Sequence, residues 1–188
     1  MDIRDRLLTI EEYLEFTRQP ENENRWFELV GGRLVEWPPA PFTNSVVAAR
    51  IGAELVRAVD DQKPGYVTGA DGGYQLGPDE VRIPDAAYIT KDRAGTLTSD
   101  LFHAAPDIAV EVIPSDLSYQ VMMEKVRAYL RAGTQQVWVV WPDEKAVDVY
   151  QQGAEETLHI QTLHAGQVLK PEDILPGFAL NIAELFPV

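Results

Sequence analysis

The chain of 188 residues contains no cysteine and only three histidines. The missing cysteines exclude disulfides, zinc–thiolate sites and thiol nucleophiles. The three histidines, His103, His159 and His164, lack metal-ligand spacing, and none stands near a serine in a recognisable nucleophile turn. No segment approaches the length of an apolar membrane span, and the chain begins without an apolar run of signal-peptide length. We therefore expect no membrane contact and take a cytoplasmic protein as the default.

Basic residues are also scarce, because 16 lysines and arginines stand against 30 acidic residues, for a formal net charge of −14. Affinity for a nucleic-acid backbone comes mainly from lysine and arginine, so this balance argues against a large nucleic-acid surface. The segment 115–133 is locally positive, since it carries Lys125, Arg127 and Arg131. Any site for a polyanion must be small and local, and helped by a bound metal.

The length and the pattern of apolar residues predict one domain over residues 1–188, in which strands outnumber helices. Thr9 and Glu12 form a capping-box pattern that predicts an N-terminal helix directly after Thr9. Gly31 and Gly32 separate two strand-like segments and predict a β-hairpin with a primed turn.

A second, long amphipathic helix follows the hairpin, and Asn44 or Thr43 is predicted to cap it. A strand is predicted from Val81 to Ile89, and a third helix ends near Gly133 because glycine favours that position. Further strands are predicted on both sides of the third helix. The arrangement indicates an α/β (α+β) fold, a mixed β-sheet flanked by helices.

Two of the predicted strands each place a carboxylate among apolar neighbours. Asp85 shares a face with Ile89 at the two-residue spacing of a strand, and Glu111 lies between Ala109 and Ile113 on the next strand. A carboxylate on an apolar face is costly unless something compensates it, and two close together repel unless a cation binds between them. Hard oxygen ligands of this kind suit Mg²⁺ or Mn²⁺.

Each of these residues also has an ordinary structural interpretation. Pro84-Asp85 is a common turn dipeptide, and Glu28, in a half-exposed hairpin strand, needs no functional explanation. Lys125 lies at the border of the apolar stripe of the third helix. Its stem could cover apolar surface while its ammonium reaches solvent, or the ammonium could point at the carboxylate pair.

Six segments taken together resemble the Uma-type (Uma-two) family within the PD-(D/E)xK restriction-endonuclease-like superfamily. Each motif is weak alone, but six in the same order along nearly the whole chain are specific. In chain order they are LTIEEYLEF, WFELVGGRLVEWPPAP, VRIPDAAYI, IAVEVIPSD, the run from Glu124-Lys125 through Tyr129 and Gly133 to Trp138, and LPGFALNIAELF. The resemblance implies a restriction-endonuclease-like core preceded by the N-terminal helix and hairpin.

The resemblance also implies roles for four residues. Asp85, Glu111 and Lys125 would be catalytic, and Glu28 would join Asp85 and Glu111 in holding Mg²⁺ or Mn²⁺. Lys125 would replace the superfamily's usual lysine, which stands two residues after the second acid, where this chain has Ile113. The expected function is metal-dependent hydrolysis of DNA phosphodiester bonds by a protein that could be a homodimer.

The chain departs from the family pattern at three places. Asn44 stands where histidine is frequent, Trp141 stands where aspartate is common, and Ile113 runs directly into Pro114 where a serine usually intervenes. None of these departures removes a proposed metal ligand. They keep open an alternative, in which the protein is a catalytically inactive nuclease fold that acts as a binding or dimerisation module.

Overall fold

The computed structural model describes residues 6–59, 65–97 and 100–187. The α-helices in these ranges are α1 (Ile10–Thr17), α2 (Phe42–Ala58), α3 (Lys91–Ala94) and α4 (Tyr119–Arg131). The strands are β1 (Trp26–Val30), β2 (Arg33–Trp37), β3 (Gly65–Gly69), β4 (Tyr74–Gly77), β5 (Glu80–Arg82), β6 (Ala86–Thr90), β7 (Ile108–Val112), β8 (Gln136–Trp141), β9 (Ala146–Gln152), β10 (Leu158–His164), β11 (Val168–Leu169) and β12 (Leu180–Asn181). No helix in the described ranges is both long enough and apolar enough to cross a membrane.

Two larger sheets organise the chain. A six-stranded sheet has the order β10-β9-β8-β7-β6-β3, and a four-stranded sheet has the order β2-β1-β5-β4. Within the six-stranded sheet β7 and β8 are parallel, and the other neighbouring strands are antiparallel. The parallel pair is connected through α4, as parallel neighbours require a crossover. The predicted mixed sheet with flanking helices is therefore confirmed.

Strand β7 is buried on both faces, and its residues alternate between two cores. Val110 and Val112 pack in the core that contains the apolar face of α2, whereas Ala109 and Ile113 pack in the core formed with α4. Glu111 is on the α4 side, because it has the same parity as Ala109. The sequence pattern predicted this alternation correctly.

The predicted N-terminal helix and hairpin are also confirmed. The side chain of Thr9 accepts from the backbone of Glu12, and the Glu12 carboxylate accepts from the Thr9 N–H. Gly31 and Gly32 both have positive φ, which is the geometry of the predicted primed turn. The turn sets the register that places Trp26 opposite Trp37 at the open end of the hairpin.

The predicted single strand from Val81 to Ile89 is wrong. The chain breaks after β5, and β6 begins at Ala86 in the other sheet. Pro84 has no N–H to donate to a sheet, and the N–H of Ile83 donates to the Glu28 carboxylate at 3.0 Å instead of to a strand. The break carries the chain from the four-stranded sheet into the six-stranded sheet.

The predicted cap of α2 is wrong as well. The helix begins at Phe42, so Thr43 and Asn44 lie inside its first turn, and no side chain caps the helix at Pro41. The Asn44 amide donates to the carbonyl of Val112 at 3.1 Å, at the end of β7. The Asn44 side chain thus joins α2 to β7 and does not cap its own helix. Capping rules based on adjacent residues do not predict such a contact.

Candidate active site

Four residues from separate elements line one cavity of about 410 Å³. Glu28 comes from β1, Asp85 from the break between β5 and β6, Glu111 from β7 and Lys125 from α4. The structure therefore brings together all four residues that the sequence analysis singled out. The cavity lies where the two larger sheets meet, since β1 belongs to one sheet and β7 to the other.

The ammonium of Lys125 lies between two carboxylates. Its Nζ is 2.9 Å from Oε2 of Glu111 and 3.3 Å from Oε1 of Glu28, and the side chain is 9% exposed. The same nitrogen is 4.7 Å from the ring centroid of Trp37. The ammonium thus points at carboxylates, as one of the two interpretations of Lys125 held, but the second carboxylate that it contacts is Glu28 and not the expected Asp85. A part in catalysis stays a prediction.

Glu111 is almost fully buried, with both oxygens engaged. Oε2 accepts from Lys125, and Oε1 accepts from the Tyr129 hydroxyl at 2.8 Å. Burial raises the pKa of Glu111 to about 7 against the opposing effect of Lys125, and the carboxylates of Asp85 and Glu28 add to the rise. The pKa of Lys125 is raised, because the attraction of Glu111 and Glu28 outweighs the lowering caused by burial. The ammonium therefore stays charged at neutral pH.

Glu28 is 1% exposed and is held by four donors. Oε2 accepts from Trp37 Nε1 at 2.8 Å and from Arg82 Nη1 at 3.1 Å, while Oε1 accepts from the N–H of Ile83 and contacts Lys125. Although burial opposes it, the charges of Lys125 and Arg82 hold the pKa of Glu28 below its usual value. Glu28 is thus an ionised group that fixes the position of the lysine.

Asp85 is half-buried and lies at the end of the β6–β7 ladder. Its N–H donates to the carbonyl of Val110 at 2.9 Å, and its Oδ2 accepts from the N–H of Val112 at 2.6 Å. Because Ala86 pairs with Val110, continuing the register places Asp85 opposite Glu111. Burial raises the pKa of Asp85. No donor among the described residues contacts its second oxygen, Oδ1, so that atom is able to accept from a ligand or bind a cation.

Of the three carboxylates expected to hold a metal ion, two fit that role better than the third. In the part of the chain that the structure describes, no group of three or more histidine, aspartate and glutamate side chains is arranged to hold a metal. The donors around Glu28 already satisfy both of its oxygens. Asp85 and Glu111 fit a divalent cation better, because they lie opposite each other and keep acceptor capacity. Each oxygen of Glu111 has one donor where each oxygen of Glu28 has two, and Oδ1 of Asp85 has none among the described residues.

Sequence reasoning missed three partners of these residues and one contact beside them. Arg82 and Trp37 hold Glu28, the Tyr129 hydroxyl holds Glu111, and Asn44 holds the carbonyl end of β7. Tyr129 offered a usable signal, because it stands one helical turn after Lys125 and so shares its face of α4. Arg82 and Trp37 offered none, since their contacts depend on how the two sheets dock.

Comparison with known proteins agrees with this architecture. A solved structure described as a putative nuclease belonging to DUF820, from Anabaena variabilis ATCC 29413, superposes with a TM-score of 0.79 at 21% identity. The match covers 95% of this chain and 97% of the other, and it shows a shared fold. No curated protein matches the sequence. The family model Uma2, described as "Putative restriction endonuclease", matches residues 10–183, and this chain belongs to that family.

Proposed function

We propose that the protein is a metal-dependent phosphodiesterase that hydrolyses DNA, with Asp85 and Glu111 as metal ligands and Lys125 as the catalytic cation. The observation that carries the proposal is the contact of Lys125 Nζ with Glu111 and Glu28 inside a cavity that Asp85 also lines. Membership of a nuclease-like family supports a nucleic-acid substrate. We further propose that the nucleic acid is DNA and that the protein cleaves it internally, as an endonuclease.

The chain's own residues have distinct tasks in this scheme. Asp85, directly before β6, and Glu111, on the adjacent strand β7, present hard oxygen ligands, which suits Mg²⁺ or Mn²⁺. Lys125 directs its ammonium toward the same region, where it orients the attacking water and stabilises negative charge on the phosphate in the transition state. Glu28 and Tyr129 position these groups. A bound divalent ion supplies a water of lowered pKa and stabilises charge on the phosphate.

The proposal is tested by cleavage of plasmid and single-stranded DNA in the presence of Mg²⁺ or Mn²⁺. Wild-type protein should cleave, and chelation with EDTA should stop the reaction. Asp85→Asn should abolish cleavage because a neutral amide is a poor ligand for these ions. Asp92→Asn is a matched control, since Asp92 is an exposed carboxylate on α3 outside the cavity.

Metal binding has a readout that does not depend on activity. A ligand that binds only the native state raises its stability by mass action, so millimolar Mg²⁺ or Mn²⁺ should raise the melting temperature. Asp85→Asn should remove most of this shift, and Asp92→Asn should keep it. A wild-type melting curve unaffected by either ion would contradict the metal site.

One observation favours a second candidate, an inactive nuclease-fold protein that acts as a binding or dimerisation module. Lys125 already neutralises part of the charge of Glu28 and Glu111, so the pair has a cation without any metal. This candidate is supported if DNA cleavage and the metal-induced shift are both absent. The possible homodimer and the cytoplasmic location stay predictions, the first of which sedimentation equilibrium can test.

A further inference from the structure

The lining of the cavity has two parts that differ in chemistry. One part holds the buried charged groups Glu28, Glu111 and Lys125 with half-buried Asp85, and the other consists of two tryptophans and a run of prolines, namely Trp26, Trp37, Pro38, Pro39 and Pro41. The three prolines are exposed. The cavity therefore offers an apolar, partly aromatic wall next to a charged centre.

The two tryptophans are a cross-strand pair, and of the two it is Trp37 that contacts the charged residues. Trp26 and Trp37 are opposite each other on β1 and β2, so their side chains share a face of the hairpin. Trp37 donates its Nε1 to Glu28, and its ring receives the ammonium of Lys125. Trp26 is 40% exposed, and its Nε1 reaches Asp71 at 3.4 Å. Its ring is thus anchored at one edge and accessible from the cavity.

The charge of the lining opposes recognition through phosphates. Lys125 is the only lysine or arginine among the described residues that line the cavity, and the same lining holds four carboxylates, from Glu28, Asp71, Asp85 and Glu111. The whole chain has a net charge of −14. Tight binding of a duplex backbone needs many lysines and arginines. In the absence of a bound metal, affinity must therefore come from an uncharged part of the substrate.

We propose that Trp26 is a stacking platform for an unpaired nucleobase, so that the substrate is single-stranded DNA or DNA with a base outside the duplex. This inference rests on the proposed function. Stacking on an aromatic ring requires only a π face, which every base presents once it is unpaired. A volume of about 410 Å³ is of the size that holds one small ligand. Trp26 lines the same cavity as Asp85 and Lys125, so a base seated on it lies in the cavity that holds the proposed catalytic groups.

The test is binding of fluorescein-labelled oligothymidylate in EDTA, measured by fluorescence anisotropy, so that no cleavage interferes. Trp26→Ala should weaken binding by about 5- to 150-fold, the range that base–aromatic stacking gives on alanine substitution. Trp26→Phe should keep most of the affinity. Tyr119→Ala is the matched control, because Tyr119 is a 63% exposed aromatic on α4 that does not line the cavity.

An abasic scan identifies the stacked base itself. Removing one base at a time from the oligomer should weaken binding to wild-type protein at one position, and Trp26→Ala should be insensitive to that removal. Duplex DNA of the same sequence should compete poorly. Equal affinity of wild type and Trp26→Ala, or a preference for duplex, would overturn the inference.

The two proposals fail separately. If wild type cleaves DNA but Trp26→Ala binds and cleaves single strands as well as wild type does, the stacking platform is wrong and the nuclease stands. If binding depends on Trp26 but no metal supports cleavage, the base site stands and the proposed hydrolysis is wrong.

Discussion

Lys125 is held by charge as well as by packing. Its ammonium is the shared partner of Glu28 and Glu111, which are both buried. Removing one partner of a buried ion pair leaves an uncompensated charge, which costs about 3–5 kcal/mol. A lysine that only covered apolar surface would lack this cost.

Lys125→Met should therefore lower both stability and activity. We expect the free energy of unfolding in urea to fall by about 3 kcal/mol, and the cleavage rate of the folded fraction to fall by about 10²-fold or more. Arg127→Met is the control, because Arg127 is exposed on the same helix. Adding Glu111→Gln to Lys125→Met should recover part of the stability, since the remaining buried charge is reduced. Equal effects of the two single methionine variants would contradict a specific role for Lys125.

The raised pKa of Glu111 predicts how stability depends on pH. The folded protein holds this proton up to about pH 7, whereas the unfolded chain releases it near the ordinary value of 4.5. Between these values the folded state binds more protons, so the contribution of Glu111 to stability falls as pH rises. Glu111→Gln removes this dependence. In EDTA, the free energy of unfolding of Glu111→Gln minus that of wild type should increase by about 3 kcal/mol as the pH is raised from about 4.5 to about 7.

Urea unfolding at several pH values between about 4.5 and 7 checks this prediction. Glu124→Gln is the control, because Glu124 is an exposed carboxylate on α4 and its variant should follow wild type. Parallel curves for Glu111→Gln and wild type would show that Glu111 ionises normally in the fold.

At this scale the sequence identified the charged residues but not their partners. Glu111 stood out because its strand is otherwise apolar, and the order of family motifs pointed to Asp85, Lys125 and Glu28. The burial of Glu28 and its contact with Arg82 arise from the docking of two sheets. Nothing local to the FELV segment distinguishes that outcome from a surface carboxylate.

Among the elements, the hairpin of β1 and β2 determines where Glu28, Trp26 and Trp37 lie. Its turn contains Gly31 with φ of 53° and Gly32 with φ of 75°. The Gly32 carbonyl accepts from Leu8, and its N–H donates to Asp79, so this residue is fixed from both sides. A change in the turn should thus reach the candidate active site through the register of the strands.

The two turn glycines should respond differently to asparagine. Gly31→Asn should be nearly neutral, because asparagine tolerates positive φ and a side chain there meets nothing within 4 Å. Gly32→Asn should lose about 1 kcal/mol or more, since its Cβ would lie 3.3 Å from Leu7 Cβ and 3.4 Å from the Leu8 carbonyl oxygen. Urea unfolding compares the two, and a larger loss at Gly31 would contradict this account.

The sequence predicted those elements whose signals are local. The capping box of α1, the glycine turn and the glycine stop of α4 all follow from a few adjacent residues. The sequence analysis predicted one strand across Pro84, although it noted the turn character of Pro84-Asp85, and it misplaced the start of α2, which is at Phe42, because each outcome involves a contact with another element. The Asn44 side chain donates to the Val112 carbonyl at the end of β7 and does not cap its own helix. The Ile83 N–H donates to the Glu28 carboxylate and not to a neighbouring strand.

Over the whole molecule, charge sets how binding should depend on salt. Binding of single strands loses about 0.7 in log K per log unit of salt for each neutralised phosphate. With a single lysine in the described lining of the cavity, the salt slope for oligothymidylate should be shallow, at about −1. The double variant Arg127→Ala, Arg131→Ala should keep this slope. A steep slope that the double variant flattens would place the DNA on the outer face of α4.

The position of the site between the two sheets has a consequence for the chain during its synthesis and folding. Glu28 is made early in synthesis and Lys125 about a hundred residues later, and neither sheet alone holds the complete set. An emerging or half-folded chain thus lacks the assembled centre. If the protein cuts DNA, the capacity to do so arises only once the two sheets have docked, and it is lost as soon as they separate.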